Sequence, residues 1–151
     1  MTTGFLRSLF FSMTFVFVLF SGSSFAQDNQ TLSAILKSVE EKEKGIITKA
    51  AYDEGLWEVK ICETGNCQKI YIDPVTWKEI RRRATEGKNV PPANSLSMTV
   101  IVKNIEGLNA GKIKEVEFDN GNWKAEVKKD GKKNKLYFDP LTGEQIPAIK
   151  K

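Results

Sequence analysis

Two cysteines, Cys62 and Cys67, frame the segment CETGNC and are the only cysteines in the sequence. Such a pair could serve as a redox centre, as metal ligands or as a disulfide. A haem or zinc site needs histidine or further cysteines, and the sequence contains neither. A redox-active pair usually has the tighter spacing Cys-x-x-Cys at the start of a helix. The residue types and their spacing therefore favour a structural disulfide.

The lack of histidine also bears on catalysis. Ser-His-Asp, Cys-His and His-Glu-x-x-His sites are excluded, which removes most hydrolase mechanisms. Asp73 and Asp139 could form a carboxylate pair, but each precedes a proline. An Asp-Pro pair is typical of a turn in which the side chain accepts backbone N–H groups. We therefore expect a protein that is not an enzyme and that has no metal site and no cofactor.

Residues 1–26 have the features of a secretory signal peptide. Arg7 precedes an apolar run at residues 9–20, which is shorter than the roughly 20 residues that cross a bilayer. Ser24 and Ala26 occupy the small-residue positions of a cleavage site, and no cysteine lies nearby to carry a lipid. We expect cleavage after Ala26 and a periplasmic or secreted protein with no stable membrane anchor. In that oxidising compartment paired cysteines form disulfides.

The charged residues indicate no polyanionic partner. The sequence has 23 Lys and Arg against 19 Asp and Glu, a formal net charge of +4, with both signs mixed along the chain. Nucleic acid is therefore not an expected partner of this exported chain.

The chain contains an internal repeat. Residues 31–80 align with residues 97–146 without a gap, and such self-similarity indicates a duplication. The identical pairs include Gly45/Gly111, Trp57/Trp123, Gly65/Gly131, Tyr71/Tyr137, Asp73/Asp139 and Ile80/Ile146. We predict a first repeat at 27–84, a linker rich in Gly, Pro and Asn at 85–93, and a second repeat at 94–151.

Each copy is predicted to be a helix packed on a small antiparallel sheet, which makes the fold class α+β. Thr31 and Ser97 are the predicted N-caps, and the apolar residues after them recur at helical spacing. The pattern then alternates with a period of two over three strands per copy. The predicted buried strand positions are Ala50, Tyr52, Trp57, Val59, Ile61, Ile70 and Ile72, with Val116, Phe118, Trp123, Ala125, Val127, Leu136 and Phe138 in the second copy.

The repeat predicts where the two cysteines lie in the first copy. Asp130-Gly131 is a strong signal for a two-residue hairpin turn, and Thr64-Gly65 is its counterpart in the first copy. This register sets Cys62 opposite Cys67 in a closely spaced, non-hydrogen-bonded pair, which suits a disulfide. We predict that the disulfide is a staple across the hairpin.

The order of helix, Gly-x-Ile, Asp-x-Gly-x-Trp, alternating strand, Gly turn and YFDPLTGE at 137–144 resembles the PepSY domain. This family is known from propeptides of thermolysin-type metallopeptidases and from small exported bacterial proteins. The first copy departs from the pattern, because Trp77 stands where the second copy has Gly143. A positive φ suits glycine there and strains tryptophan. Residues 75–84 could therefore form a short helix or a strand.

The resemblance implies a noncatalytic module that binds or restrains another protein, often a peptidase. We expect an inhibitor or regulator of an envelope or secreted enzyme, with a protein partner in the cell envelope or outside the cell. The alternative is a carrier or sensor of a small ligand or metal ion that uses the groove between the repeats.

Strand alternation also predicts a contact surface. It places a tyrosine of each copy on the sheet face opposite the helices, where an aromatic can anchor a partner or cover lysine side chains. The candidate partner-binding residues are Tyr71, Glu58, Lys60 and Lys69 with Tyr137, Lys124, Glu126 and Lys135.

Overall fold

The computed structural model describes residues 31–148. These residues form two helices and eight strands in the order α1 (Leu32–Lys42), β1 (Ile46–Asp53), β2 (Leu56–Glu63), β3 (Asn66–Ile72), β4 (Glu79–Thr85), α2 (Met98–Gly107), β5 (Lys112–Asp119), β6 (Asn122–Lys129), β7 (Lys132–Phe138) and β8 (Gln145–Ile146). The fold class is therefore α+β, as the change of apolar period from helical to alternating predicts.

All eight strands belong to one antiparallel sheet with the order β4-β3-β2-β1-β5-β6-β7-β8. The central pair joins the two halves of the chain, with Ala50 opposite Val116 and Ala51 opposite Glu115. The sequence predicts a small sheet in each copy and leaves open whether the copies share one. The structure joins the strands of both halves in a single sheet.

Both helices cover one face of this sheet with the predicted apolar residues. The buried residues are Leu32, Ile35, Leu36 and Val39 in α1, and Met98, Ile101, Val102 and Ile105 in α2. Thr31 caps α1 as predicted, because its hydroxyl accepts a hydrogen bond from the Ala34 N–H at 3.3 Å. Ser97 occupies the N-cap position of α2, but its side chain makes no cap hydrogen bond. The helices also contact each other, where the Ser33 hydroxyl donates to Glu106 Oε2 at 2.5 Å.

The buried residues of both halves form one hydrophobic cluster. Ala50, Val59, Val116, Trp123, Ala125 and Val127 are fully buried. Nearly all the predicted strand positions are buried, while Tyr52 and Leu136 are partly buried against the same cluster. The predicted alternation is therefore confirmed, and the apolar faces of the two halves are continuous.

The segment after Asp73 is a turn followed by strand β4, so the short-helix alternative for residues 75–84 is wrong. Trp77 adopts a φ of 57°, close to the 71° of Gly143. The same backbone bonds close both turns, since the N–H groups of Trp77 and Gly143 donate to the carbonyls of Asp73 and Asp139 at 2.9 Å. The Trp77 side chain packs against the core, which offsets a backbone cost of about 1–2 kcal/mol.

Residues 86–97 connect β4 to α2 without helix or strand. Residues 86–90 are exposed, whereas Pro91 is buried. Asn89 donates to Asp119 Oδ1 at 3.3 Å. The connection is therefore loosely held at its start and packed against the protein from Pro91 onward.

Limited proteolysis is expected to cut first within residues 86–90, because exposed backbone without ladder hydrogen bonds is the preferred site of nicking. Mass spectrometry of the first fragments measures the position of the cut. A first cut inside the hairpin of β6 and β7 would contradict this expectation.

Candidate functional site

The sheet face opposite the helices, here called the outer face, is polar. In β2 the side chains of Trp57, Val59 and Ile61 are buried against the core, so Glu58 and Lys60 project from the outer face. All eight candidate residues lie on this face as four cross-strand pairs. The pairs are Glu58 with Tyr71, Lys60 with Lys69, Lys124 with Tyr137, and Glu126 with Lys135.

The two tyrosines of the outer face differ in their surroundings. Tyr71 is 6% exposed, because Arg81 and Arg83 of β4 lie over its ring, at 4.0 and 5.1 Å from the ring centroid. Tyr137 is half-buried and pairs with Ile146 of the two-residue strand β8. Tyr137 thus offers an aromatic surface, whereas the arginines form the surface above Tyr71.

Sequence reasoning missed Arg81 and Arg83 because it did not assign β4. Stacking holds both guanidinium groups over the Tyr71 ring. The Arg83 side chain is 61% exposed and makes one long ion pair, with Glu58 at 4.0 Å. A sequence signal for them does exist. The two arginines are spaced by two residues, as on one face of a strand, and they follow a turn that returns the chain along β3.

Ion pairs cross the central β1–β5 pair on the outer face. Lys49 lies 3.1 Å from Glu115 and 3.2 Å from Glu117, and Glu117 also pairs with Lys124. Partial burial raises the pKa of Glu117, but Lys124 and Lys49 outweigh it and hold this pKa below its usual value. Partly exposed pairs of this kind contribute about 0–1 kcal/mol each. These ion pairs leave little net charge at the centre of the face.

Lys60 lies beside this neutral centre and has no ion pair among the described residues. Burial lowers the pKa of Lys60, and the nearby cations Lys69 and Lys49 lower it further. Its cross-strand neighbour Lys69 is instead paired with Glu58 at 2.7 Å. Lys60 is therefore a cation in a positive environment, where a carboxylate from a partner would be favourable.

A shallow depression lies over the central strand pair on the outer face. Its volume is about 440 Å³, and its floor includes Ala51. Lysines and carboxylates of both halves line it, among them Lys49, Glu115 and Lys128. In residues 31–148 no three His, Cys, Asp or Glu side chains are grouped so that they could hold a metal ion.

The disulfide between Cys62 and Cys67 is confirmed. The two residues are directly opposite in the β2–β3 ladder, with their Cα atoms 4.1 Å apart. Thr64 and Gly65 form the turn with φ values of 47° and 84°, matching Asp130 and Gly131 at 51° and 76°. Both cysteines are buried. The pair is therefore a staple at the tip of the first hairpin.

Asp73 and Asp139 act in turns, as predicted. Each carboxylate accepts two backbone N–H groups at 2.8 to 2.9 Å, from Val75 and Thr76 in one turn and from Leu141 and Thr142 in the other. The N–H of Thr76 or Thr142, and then that of the residue before it, holds the pKa of the carboxyl below its usual value. The carboxylates are thus occupied by their own turns.

The double variant Asp73→Asn/Asp139→Asn is expected to lose stability less steeply in acid than the wild type. A lowered folded pKa stabilises above the unfolded value of about 3.9, and this contribution is lost as the pH falls through the folded pKa. Asparagine still accepts the N–H bonds but does not titrate there. Thermal unfolding followed by circular dichroism from about pH 5 to pH 2 measures the difference; identical slopes would contradict it.

Neither helix in residues 31–148 is long and apolar enough to cross a membrane. The predicted signal peptide and its cleavage after Ala26 lie outside the described residues.

Comparison with known proteins finds one family for the second half of the chain. Residues 84–148 match the family model PepSY_2, described as the peptidase propeptide and YPEB domain. No curated protein is significantly similar to this chain. A crystal structure described as that of a candidate lipoprotein from Clostridium difficile 630 is similar, with a TM-score of 0.45 and 14% identity over 76% of this chain and 86% of that chain.

Proposed function

We propose that this chain is an exported, noncatalytic module that binds another protein with the outer face of its sheet and thereby restrains or regulates an envelope or secreted enzyme. The observation that carries this proposal is that one continuous sheet face bears side chains of both halves and is covered by neither of the two helices in residues 31–148. A wide polar face with a few aromatic and cationic anchors suits a protein interface.

The chemistry of this face supports a protein partner with carboxylates. At its centre the charges of Lys49 and Lys124 balance those of Glu115 and Glu117. Lys60 lies to one side without an ion pair among the described residues, and the half-buried Tyr137 lies to the other. An aromatic contact and an available cation on two sides of a neutral centre can fix both the position and the orientation of a partner.

The link to peptidases comes from the family matched by residues 84–148, whose description includes peptidase propeptides. We extend the PepSY-like assignment to the first half as a tandem repeat. In support, the Asp73 and Asp139 turns have the same hydrogen bonds, and the two hairpin turns have the same backbone conformation. An exported location agrees with the disulfide between Cys62 and Cys67.

A small ligand is the second candidate. The depression over Ala51 favours it, because lysines and carboxylates in one open hollow could hold a zwitterionic molecule. On the other side of the sheet, the space between the two halves is occupied by the contact between α1 and α2. A ligand-binding protein should gain thermal stability with a small molecule or ion, whereas a protein-binding module should not.

Site-specific photo-crosslinking separates these functions. A photoreactive residue at position 60 of the mature protein is expected to capture a distinct partner from an envelope extract. The matched control is position 37, an exposed lysine on α1, where no such product is expected. Equal capture at both positions, or capture at position 37 alone, would show that the outer face is not the interface.

A further inference from the structure

The outer edge of β4 is unpaired in residues 31–148, and all seven residues of this strand are exposed or half-exposed. β4 is the terminal strand of the sheet, and it pairs only with β3 among the described residues. Alternate N–H and C=O groups of such an edge point outward and can pair with another strand. Ile80, which is 57% exposed, adds an apolar side chain to this edge.

The arginines of β4 have separate environments. Arg82 is bound by Glu43 at 2.5 Å and Glu79 at 2.6 Å, and these carboxylates raise its pKa. Arg81 and Arg83 are on the other side of the strand and stack on Tyr71. Arg81 has no ion pair among the described residues. Two guanidinium groups are thus held two residues apart beside a free strand edge.

The opposite end of the sheet does not offer an equivalent edge. β8 has only two residues, Gln145 and Ile146. Pro147 follows at the repeat position of Arg81, and proline has no N–H to donate to a ladder. The two ends therefore differ in both length and charge.

We propose that the β4 edge binds an extended acidic segment of another protein by strand addition. The backbone of that segment would pair with β4, and carboxylates at alternate positions would meet Arg81 and Arg83. Main-chain bonds supply affinity in this mode, and alternate side chains supply specificity. Guanidinium groups suit this role because they bind carboxylates through two parallel hydrogen bonds.

Charge complementarity selects this occupant over a second copy of the chain. Two β4 strands paired edge to edge would bring arginine-rich segments together, and like charges across a ladder are destabilising. Edge charges of this kind prevent self-association. The same arginines favour an acidic strand. This proposal concerns an edge of the sheet and does not depend on the protein that binds the outer face.

Fluorescence anisotropy tests the proposal with the mature protein and a labelled peptide of about ten residues that alternates threonine or valine with glutamate. We expect this peptide to bind and a matched peptide with lysine in place of glutamate not to bind. Arg81→Glu/Arg83→Glu should weaken binding by at least about tenfold. Arg81→Lys/Arg83→Lys keeps the charges and should weaken binding less. If the glutamate variant fails to fold, the lysine variant still tests the role of the guanidinium groups.

The chain offers a matched control in Lys112→Glu/Lys114→Glu. These two cations also lie over a tyrosine, Tyr52, but β5 is an interior strand of the sheet, between β1 and β6. This variant should retain peptide binding. Hydrogen exchange should slow at the β4 amides when the peptide binds. Equal binding of the lysine peptide, equal loss in the β5 control, or unchanged exchange in β4 would overturn strand addition while leaving crosslinking from position 60 unaffected.

Discussion

Replacing Trp123 by alanine is expected to lower the free energy of unfolding by about 3–5 kcal/mol and to destabilise both halves of the chain together. Trp123 is fully buried and contacts Phe118 edge to face, with their ring centroids 5.3 Å apart. Its loss would leave a cavity in a hydrophobic cluster that extends across β1 and β5 into the first half. The loss of packing at β6 should therefore also destabilise strands β1 to β4.

The three tryptophans make this measurement selective. Trp123 is the only one in the second half, so fluorescence of the alanine variant reports on Trp57 and Trp77 in the first half. Circular dichroism reports on the whole sheet. In urea, both transitions should move to the same lower concentration, as a two-state protein requires. A first half that keeps its wild-type midpoint would show that the halves unfold independently.

Trp123→Phe is the matched control. The Trp123 Nε1 is buried and has no hydrogen-bond partner among the described residues, so phenylalanine keeps a ring and removes an unpaired donor. Burying an unpaired polar group costs about 1–3 kcal/mol, which offsets part of the lost packing. We expect the phenylalanine variant to be much closer to the wild type than the alanine variant.

The local features of the fold could be predicted because short-range patterns determine them. Alternation identified Val59 and Val127 as core residues, and a two-residue turn identified the pairing of Cys62 with Cys67. The β1–β5 pairing was not predictable, because it joins positions far apart in sequence such as Ala50 and Val116. No turn fixes their register.

Prediction of the site was limited by strand β4, which the sequence did not identify. Alternation placed the eight candidates on one face, yet it treated Tyr71 and Tyr137 as equivalent. They differ because Arg81 and Arg83 cover only Tyr71, and those arginines belong to a strand that begins after an unusual turn. A tryptophan at positive φ is a poor local choice. The packing of Trp77 against the core and the hydrogen bonds to Asp73 together stabilise that turn.

The double variant Lys60→Glu/Tyr137→Ala is expected to weaken binding of the partner captured from position 60 by at least about tenfold, or about 1.4 kcal/mol. Lys60 is a cation of the outer face that has no ion pair among the described residues, and Tyr137 is a half-buried aromatic of the same face. The first change places like charge against a carboxylate, and the second removes an anchor. Surface plasmon resonance with immobilised partner measures the affinity.

The matched control is Lys103→Glu/Leu108→Ala, at two exposed positions of α2 and its C-cap. It makes the same charge change and also truncates a large side chain, but away from the outer face. Thermal unfolding should show both variants folded, since neither removes a fully buried residue. Tyr71→Ala is a less suitable probe, because Tyr71 is buried under two arginines and its loss should cost stability. Wild-type affinity in Lys60→Glu/Tyr137→Ala, or equal loss in the α2 control, would mean that the partner does not bind through the outer face.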